Sequence, residues 1–324
     1  MRKCTLFLFA VLSCTIIRAQ DMHHEQGYTL SLPTHLGRLH LEAPTFRIVE
    51  ASAKPAGTEF GLRGQDKDTA VNLLVFLFRI PEEAPLTSEK CRDFMLYHSK
   101  HDDPSINIQF QKTLPVSDIL LALAQYSENT GQQHVVRAFA AKSDLCSDIE
   151  FSSRHELSAD SPKIKDILAS VTFDPDAKPL FREVFAYATV LFDHKMANAA
   201  APIYEQSLNL LPPDETAKTW RRISTDQAVM AYGMSGDIPK SRSLLATAIR
   251  LDPQYPMNYY NLACADAEEG KVSDARLHLQ QSFARNEGVL PGEALPDPTR
   301  DDSILKLKND KPFWLFVESL QKNR

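Results

Sequence analysis

Glycine is scarce in this chain, with 11 among 324 residues. That leaves little material for a glycine-rich phosphate cradle, and neither a Walker loop nor a dinucleotide fingerprint occurs. The GxSxG nucleophile elbow and the CxxC pair are missing too. No long Lys/Arg cluster is present, and the formal net charge is −6. A phosphate backbone has nothing to grip, so nucleic acid is not an expected partner. Past the N-terminus no apolar run is long enough to cross a bilayer, so no transmembrane segment is expected. No motif calls for a cofactor.

What is present begins with an export signal over residues 1–19. Arg2 and Lys3 supply the positive start, Leu6 to Leu12 the short apolar core, and Ile17-Arg18-Ala19 a small residue at a cleavage point before Gln20. The rival reading is a lipid anchor at Cys14, in Val11-Leu12-Ser13-Cys14. Either way the chain is expected to be exported, periplasmic or secreted. Without Cys4 and Cys14, three cysteines remain. Cys91 and Cys146 fall in one expected domain and are candidates for a disulfide in an oxidising compartment. Cys264 has small and apolar neighbours and reads as a buried small hydrophobe.

Residues 20–175 read as an α+β domain. Apolar runs at 37–41, 58–63, 70–80, 106–112, 119–127, 134–142 and 146–152 predict strands. The run Val71–Phe78 is almost wholly apolar and predicts a central strand buried on both faces. Ser88 caps one predicted helix and Pro162 opens another. Consecutive strands with few helices between them imply a mostly antiparallel sheet. The order of elements is loosely similar to the PsbP/Mog1-like sandwich. Asp174-Pro175-Asp176-Ala177-Lys178-Pro179 marks the expected boundary.

Beyond it, over 176–286, the period becomes helical and a repeat emerges. Gly236 and Gly270 lie 34 residues apart (270 − 236), and Ala231/Ala265, Ser241/Ala275, Leu245/Leu279 and Ala248/Ser282 keep that spacing. Small residues recur where two helices must touch, and a turn separates the helices. This pattern resembles the tetratricopeptide repeat, a helix-turn-helix unit that stacks into a solenoid. About three repeats align. The first departs most, with Lys195 where the turn glycine is expected. Residues 287–324 read as a linker and a C-terminal helix capping the last repeat.

The resemblance implies a concave groove lined by the first helix of each repeat. Its positions fall on Arg182, Phe185, Thr189 and Phe192, on Ile223, Asp226, Met230 and Met234, and on Met257, Tyr260, Asn261 and Cys264. Such an apolar, methionine-rich lining suits an amphipathic or apolar segment. The expected partner is therefore a protein or peptide, and the expected role a non-catalytic scaffold or adaptor of the cell envelope. Filling of the groove by the chain itself is the competing expectation.

The alternative is an exported enzyme whose chemistry sits in the α+β domain, with the repeats recruiting substrate. Its best constellation is Cys91, His98, His101 and Asp102 at roughly helical spacing. His98 and His101 are the weak metal candidates, since the HExxH arrangement is missing.

Overall fold

The structure, a computed structural model, describes residues 27–322 apart from 82–84, 118 and 129–132, and only the backbone of 128, 321 and 322. The expected signal segment and the Cys14 anchor lie outside the described residues. By internal contacts the chain divides into two compact units between Lys195 and Met196.

The first unit is antiparallel throughout. A seven-stranded sheet has the order β3 (Phe46–Ala53), β4 (Glu59–Asp66), β5 (Asn72–Arg79), β9 (Leu145–Ser153), β8 (Gln133–Lys142), β7 (Ile119–Glu128) and β6 (Asn107–Val116). A small sheet of β1 (Gly27–Ser31), β2 (Arg38–Glu42) and β10 (Thr172–Asp174) completes the strands. Leu73, Val75, Leu77, Ile149 and Phe151 point to one face of the large sheet and are buried, as are Tyr28, Leu30, Leu39 and Leu41 of the small sheet. Side chains of period two sort to opposite faces, so this apolar set builds the core between the two sheets. Gly64 is required there, because an added Cβ would lie 2.0 Å from the Tyr28 hydroxyl.

The other face carries α1 (Ser88–Asp102), which packs on β7, β8 and β9. Cys91 and Cys146 form a disulfide there, with Cα atoms 5.9 Å apart. Phe139, Ala122 and Ile80 close around it. Beneath α1, Arg137 is almost wholly buried. Its Nε lies 3.1 Å from Asp148 Oδ1, and its guanidinium also reaches Ser99 and Tyr126.

Some expectations shift. The β5 run is not buried on both faces: Leu73, Val75 and Leu77 are buried, whereas Leu74 and Phe76 are only half-buried. The helix that covers this face lies over β7–β9 instead. Strands β1, β3 and β10 were not predicted. β3 is an edge strand with a bulge between Ile48 and Glu50, which disrupts the alternation on which such prediction depends.

Helix α2 (Pro162–Ala169) precedes β10, and α3 (Phe181–Asp193) ends this unit. α3 was expected as the first helix of the first repeat, yet it is anchored to the strands. Glu183 accepts from Ser31 at 2.8 Å and from Arg38 at 2.6 Å. The Tyr187 hydroxyl meets the Lys54 and Glu59 carbonyls at 2.6 and 2.8 Å, and its ring packs on Phe60.

The second unit is helical: α4 (Ala197–Asn209), α5 (Lys218–Ser235), α6 (Ile238–Leu251), α7 (Pro256–Glu268), α8 (Val272–Phe283), α9 (Asp302–Leu305) and α10 (Lys311–Lys322). Helices α5/α6 and α7/α8 are hairpins joined at Gly236 and Gly270, which take left-handed φ of +85° and +72°. That conformation suits glycine, which has no Cβ to clash. Lys195 takes the same kind of turn at φ +64° without that freedom. Ala228, Ala231, Ala263 and Ala275 are fully or almost fully buried, at the small positions that let helix backbones approach. An α+β unit followed by tetratricopeptide-like helical hairpins is therefore the architecture of the described chain.

Candidate functional site

Helices α5 and α7 pack against each other, and each carries residues of the expected groove. The two helices meet different fates. On α7, Met257 and Tyr260 belong to a core that includes Leu295, Ile304, Leu307, Phe313 and Val317 from the following segment. Tyr260 is only 1% exposed, and its hydroxyl donates to Asp301 at 3.3 Å. The groove expected over α7 is thus occupied by the chain itself. The physical reason is area: an end hairpin leaves one apolar face uncovered, and five large apolar residues of 295–317 are at hand to bury it.

Residues 289–301 cross this face and bring polar groups with them. Asp301 caps α9, accepting from the Ser303 and Ile304 amides at 3.0 and 3.2 Å. The Cys264 thiol lies 3.7 Å from both Asp301 oxygens. Glu293 accepts from the Tyr255 hydroxyl at 2.9 Å. From α5, Asp226 accepts from the Asn261 amide at 2.6 Å. Loss of water pushes the Asp226 carboxyl up to about 6; the Asn261 bond opposes this and the Glu293 charge adds to it. Burial likewise raises Asp301, and it raises the Cys264 thiol, with Asp301 adding to the effect. Arg222 stands nearby but is engaged by Asp252 at 2.7 Å and by the Gly288 carbonyl at 3.1 Å, over the Tyr255 ring.

The remaining α5 positions are more open. Ile223 and Met230 are half-buried, and Met234 is 47% exposed. The four positions on α3 lie in the other unit. Arg182 is exposed, Phe185 is buried, and Thr189 and Phe192 are half-buried, with the Thr189 hydroxyl bonded to the Phe185 carbonyl at 3.0 Å. The twelve expected positions do not form one surface within a single unit.

On α1, His98 and His101 are exposed, and the His98 ring packs at a tilt against Phe94 with ring centroids 4.5 Å apart. Among the described residues, no three His, Cys, Asp or Glu side chains come together as a metal site. Cys91 is engaged in the disulfide, so it is not a free thiol beside His98.

Sequence reasoning missed Glu293 and the role of Asp301. It also missed a polar tie between hairpins: Asp266, 1% exposed, accepts from Arg242 at 2.5 Å and lies 2.6 Å from His278 Nδ1. The signal for that tie is weak, since an Asp inside an apolar helix carries no spacing rule that names its partners.

Together these features define a chain of two kinds of unit, one sheet-based and one of helical hairpins. No family model matches it, and no curated protein sequence matches it. Among solved structures, the tetratricopeptide domain of Sgt2 from Aspergillus fumigatus is similar at 17% identity, with a TM-score of 0.31 over 45% of this chain and 80% of that one. A protein from Bacteroides thetaiotaomicron VPI-5482 is similar at 8% identity, with a TM-score of 0.32 over 71% of this chain and 80% of that one. Likenesses this distant carry no argument, and the reading of the helical unit rests on its own hairpins.

Proposed function

We infer that this is a tetratricopeptide-repeat protein of the cell envelope whose helical unit holds a segment of another protein, as an adaptor or assembly factor. The observation that carries the reading is the contrast between α7 and α5. The α7 face is filled by the chain itself, whereas Met234 on α5 stays 47% exposed beside half-buried Met230 and Ile223. Methionine adapts its shape to a partner, and an amphipathic helix laid in a groove is a recurring mode of recognition. The export signal expected over residues 1–19 would direct the chain to the envelope, and the disulfide fits an oxidising compartment. The antiparallel pairing of the sheet unit, with α1 on one face, is compatible with the PsbP/Mog1-like arrangement suggested by element order.

The test is crosslinking in native envelope extract, comparing the wild type with a Met230→Glu, Met234→Glu variant whose helical content is verified. Capture of a defined partner by the wild type alone is the expected result. Equal capture by both proteins removes α5 as the binding face.

A further inference from the structure

Three carboxyls stand around the crossing of residues 289–301 over the helical unit: Asp226 from α5, which feels the Glu293 charge, and Glu293 and Asp301 from the crossing segment itself. Their side-chain partners are neutral groups. Asn261 serves Asp226, Tyr255 serves Glu293, and Tyr260 with the Cys264 thiol serves Asp301. The cation closest to hand on α5, Arg222, is committed to Asp252 and the Gly288 carbonyl. Two further acids stand on the rim of this cluster, Glu268 toward the Cys264 thiol and Asp297 toward the Tyr260 hydroxyl. Glu268 is ion-paired with Lys306, and Asp297 sits 3.8 Å from Arg300. The segment is nevertheless well seated, with Leu295 only 3% exposed. Acidic groups of α5 and of the strap itself thus face one another where apolar contact holds the strap down.

We propose that residues 289–301 form a proton-sensitive strap over the α5–α7 face, held more firmly in mildly acidic surroundings and opening more readily as the medium becomes neutral.

The direction follows from linkage. In the closed strap the Asp226 carboxyl is held at about 6, and once the strap lifts it returns toward its ordinary value of 3.8. A carboxyl with a raised closed-state value stabilises the closed form while protonated, and that contribution is lost as pH rises through about 6. Between about pH 5 and about pH 7.5 the closed-to-open ratio should fall roughly 10-fold. Asp301, also raised by burial, acts in the same direction. The device concerns the strap alone and holds whether or not a partner binds at Met234.

Cys264 reports on the strap, because its thiol lies 3.7 Å from Asp301 and is half-buried beneath it. The full chain is labelled with a dipyridyl disulfide, and the rate is read on the Cys264 peptide by mass spectrometry. At each pH that rate is divided by the rate for the unfolded chain, which removes the intrinsic pH dependence of the thiol. The expected normalised rate is roughly 10-fold lower at about pH 5 than at about pH 7.5. Asp226→Asn keeps the shape and should flatten that dependence. Glu293→Gln, which leaves an acceptor for Tyr255, should reduce it. A normalised rate equal at the two pH values, or an Asp226→Asn variant with the full wild-type dependence, overturns the proposal. A failed partner capture at Met230 and Met234 leaves this measurement untouched, so the two inferences fail separately.

Discussion

The sheet unit and the helical unit solve the problem of a core in different ways. In residues 27–195 the defining contacts are distant in sequence: Glu183 reaches Arg38, Lys163 reaches Asp66, and the disulfide spans 55 residues. In residues 196–322 most contacts join neighbouring helices, and the distant ones come from the closing segment that covers α7. A sheet needs long-range register before any strand is stable, whereas a hairpin array adds one unit to the next. The difference teaches where each unit is vulnerable: the first at its cross-links, the second at its uncovered end.

Five variants sharpen or break this contrast. The largest effect is expected at the closing segment. Phe313, 1% exposed in the core over α7, should cost about 3–5 kcal/mol when changed to alanine, read by chemical denaturation. A cost below about 1 kcal/mol would mean that the segment is an ornament on a self-sufficient array. Next, a Cys91→Ala, Cys146→Ala variant should lose about 2–4 kcal/mol in the sheet unit, seen as faster amide exchange in β8 and β9. Unchanged exchange there would show that strand register alone holds α1 in place.

Smaller effects are expected in the turns. Gly270→Ala forces a Cβ into a left-handed turn and should cost about 1 kcal/mol, with a lowered melting temperature. Lys195→Gly should gain a similar or smaller amount, since the wild-type residue carries that strain now. Opposite signs at the two turns are the informative result. The smallest stability effect belongs to Met234→Glu, within about 0.5 kcal/mol, because the side chain is 47% exposed. A large loss there would show that Met234 is core, and the α5 face would no longer be a candidate for a partner.

Much of the fold was legible residue by residue. The pattern over 215–286 placed both hairpins, because a turn glycine and buried alanines each answer to a local steric rule. The strands from β4 to β9 were legible from their apolar runs, while edge strand β3 and three-residue β10 were not, since neither has a pattern of its own. The groove was legible by position but not by state. Ile223 and Met257 hold comparable places on α5 and α7, 34 residues apart, yet Met257 is buried and Ile223 only half-buried. Nothing adjacent to Tyr260 in sequence signals Asp301, which lies 41 residues further on.

The sequence by itself determined the helical period, the turn glycines, the absence of nucleotide and nucleic-acid motifs, and the change from strands to helices. Those properties depend on side-chain spacing and backbone sterics within a few residues. Only the tertiary structure decided that α3 joins the sheet, that Cys91 meets Cys146, and that residues 289–301 lie across α7. These depend on which apolar faces find each other once the chain is compact, and on carboxyls brought together from far apart.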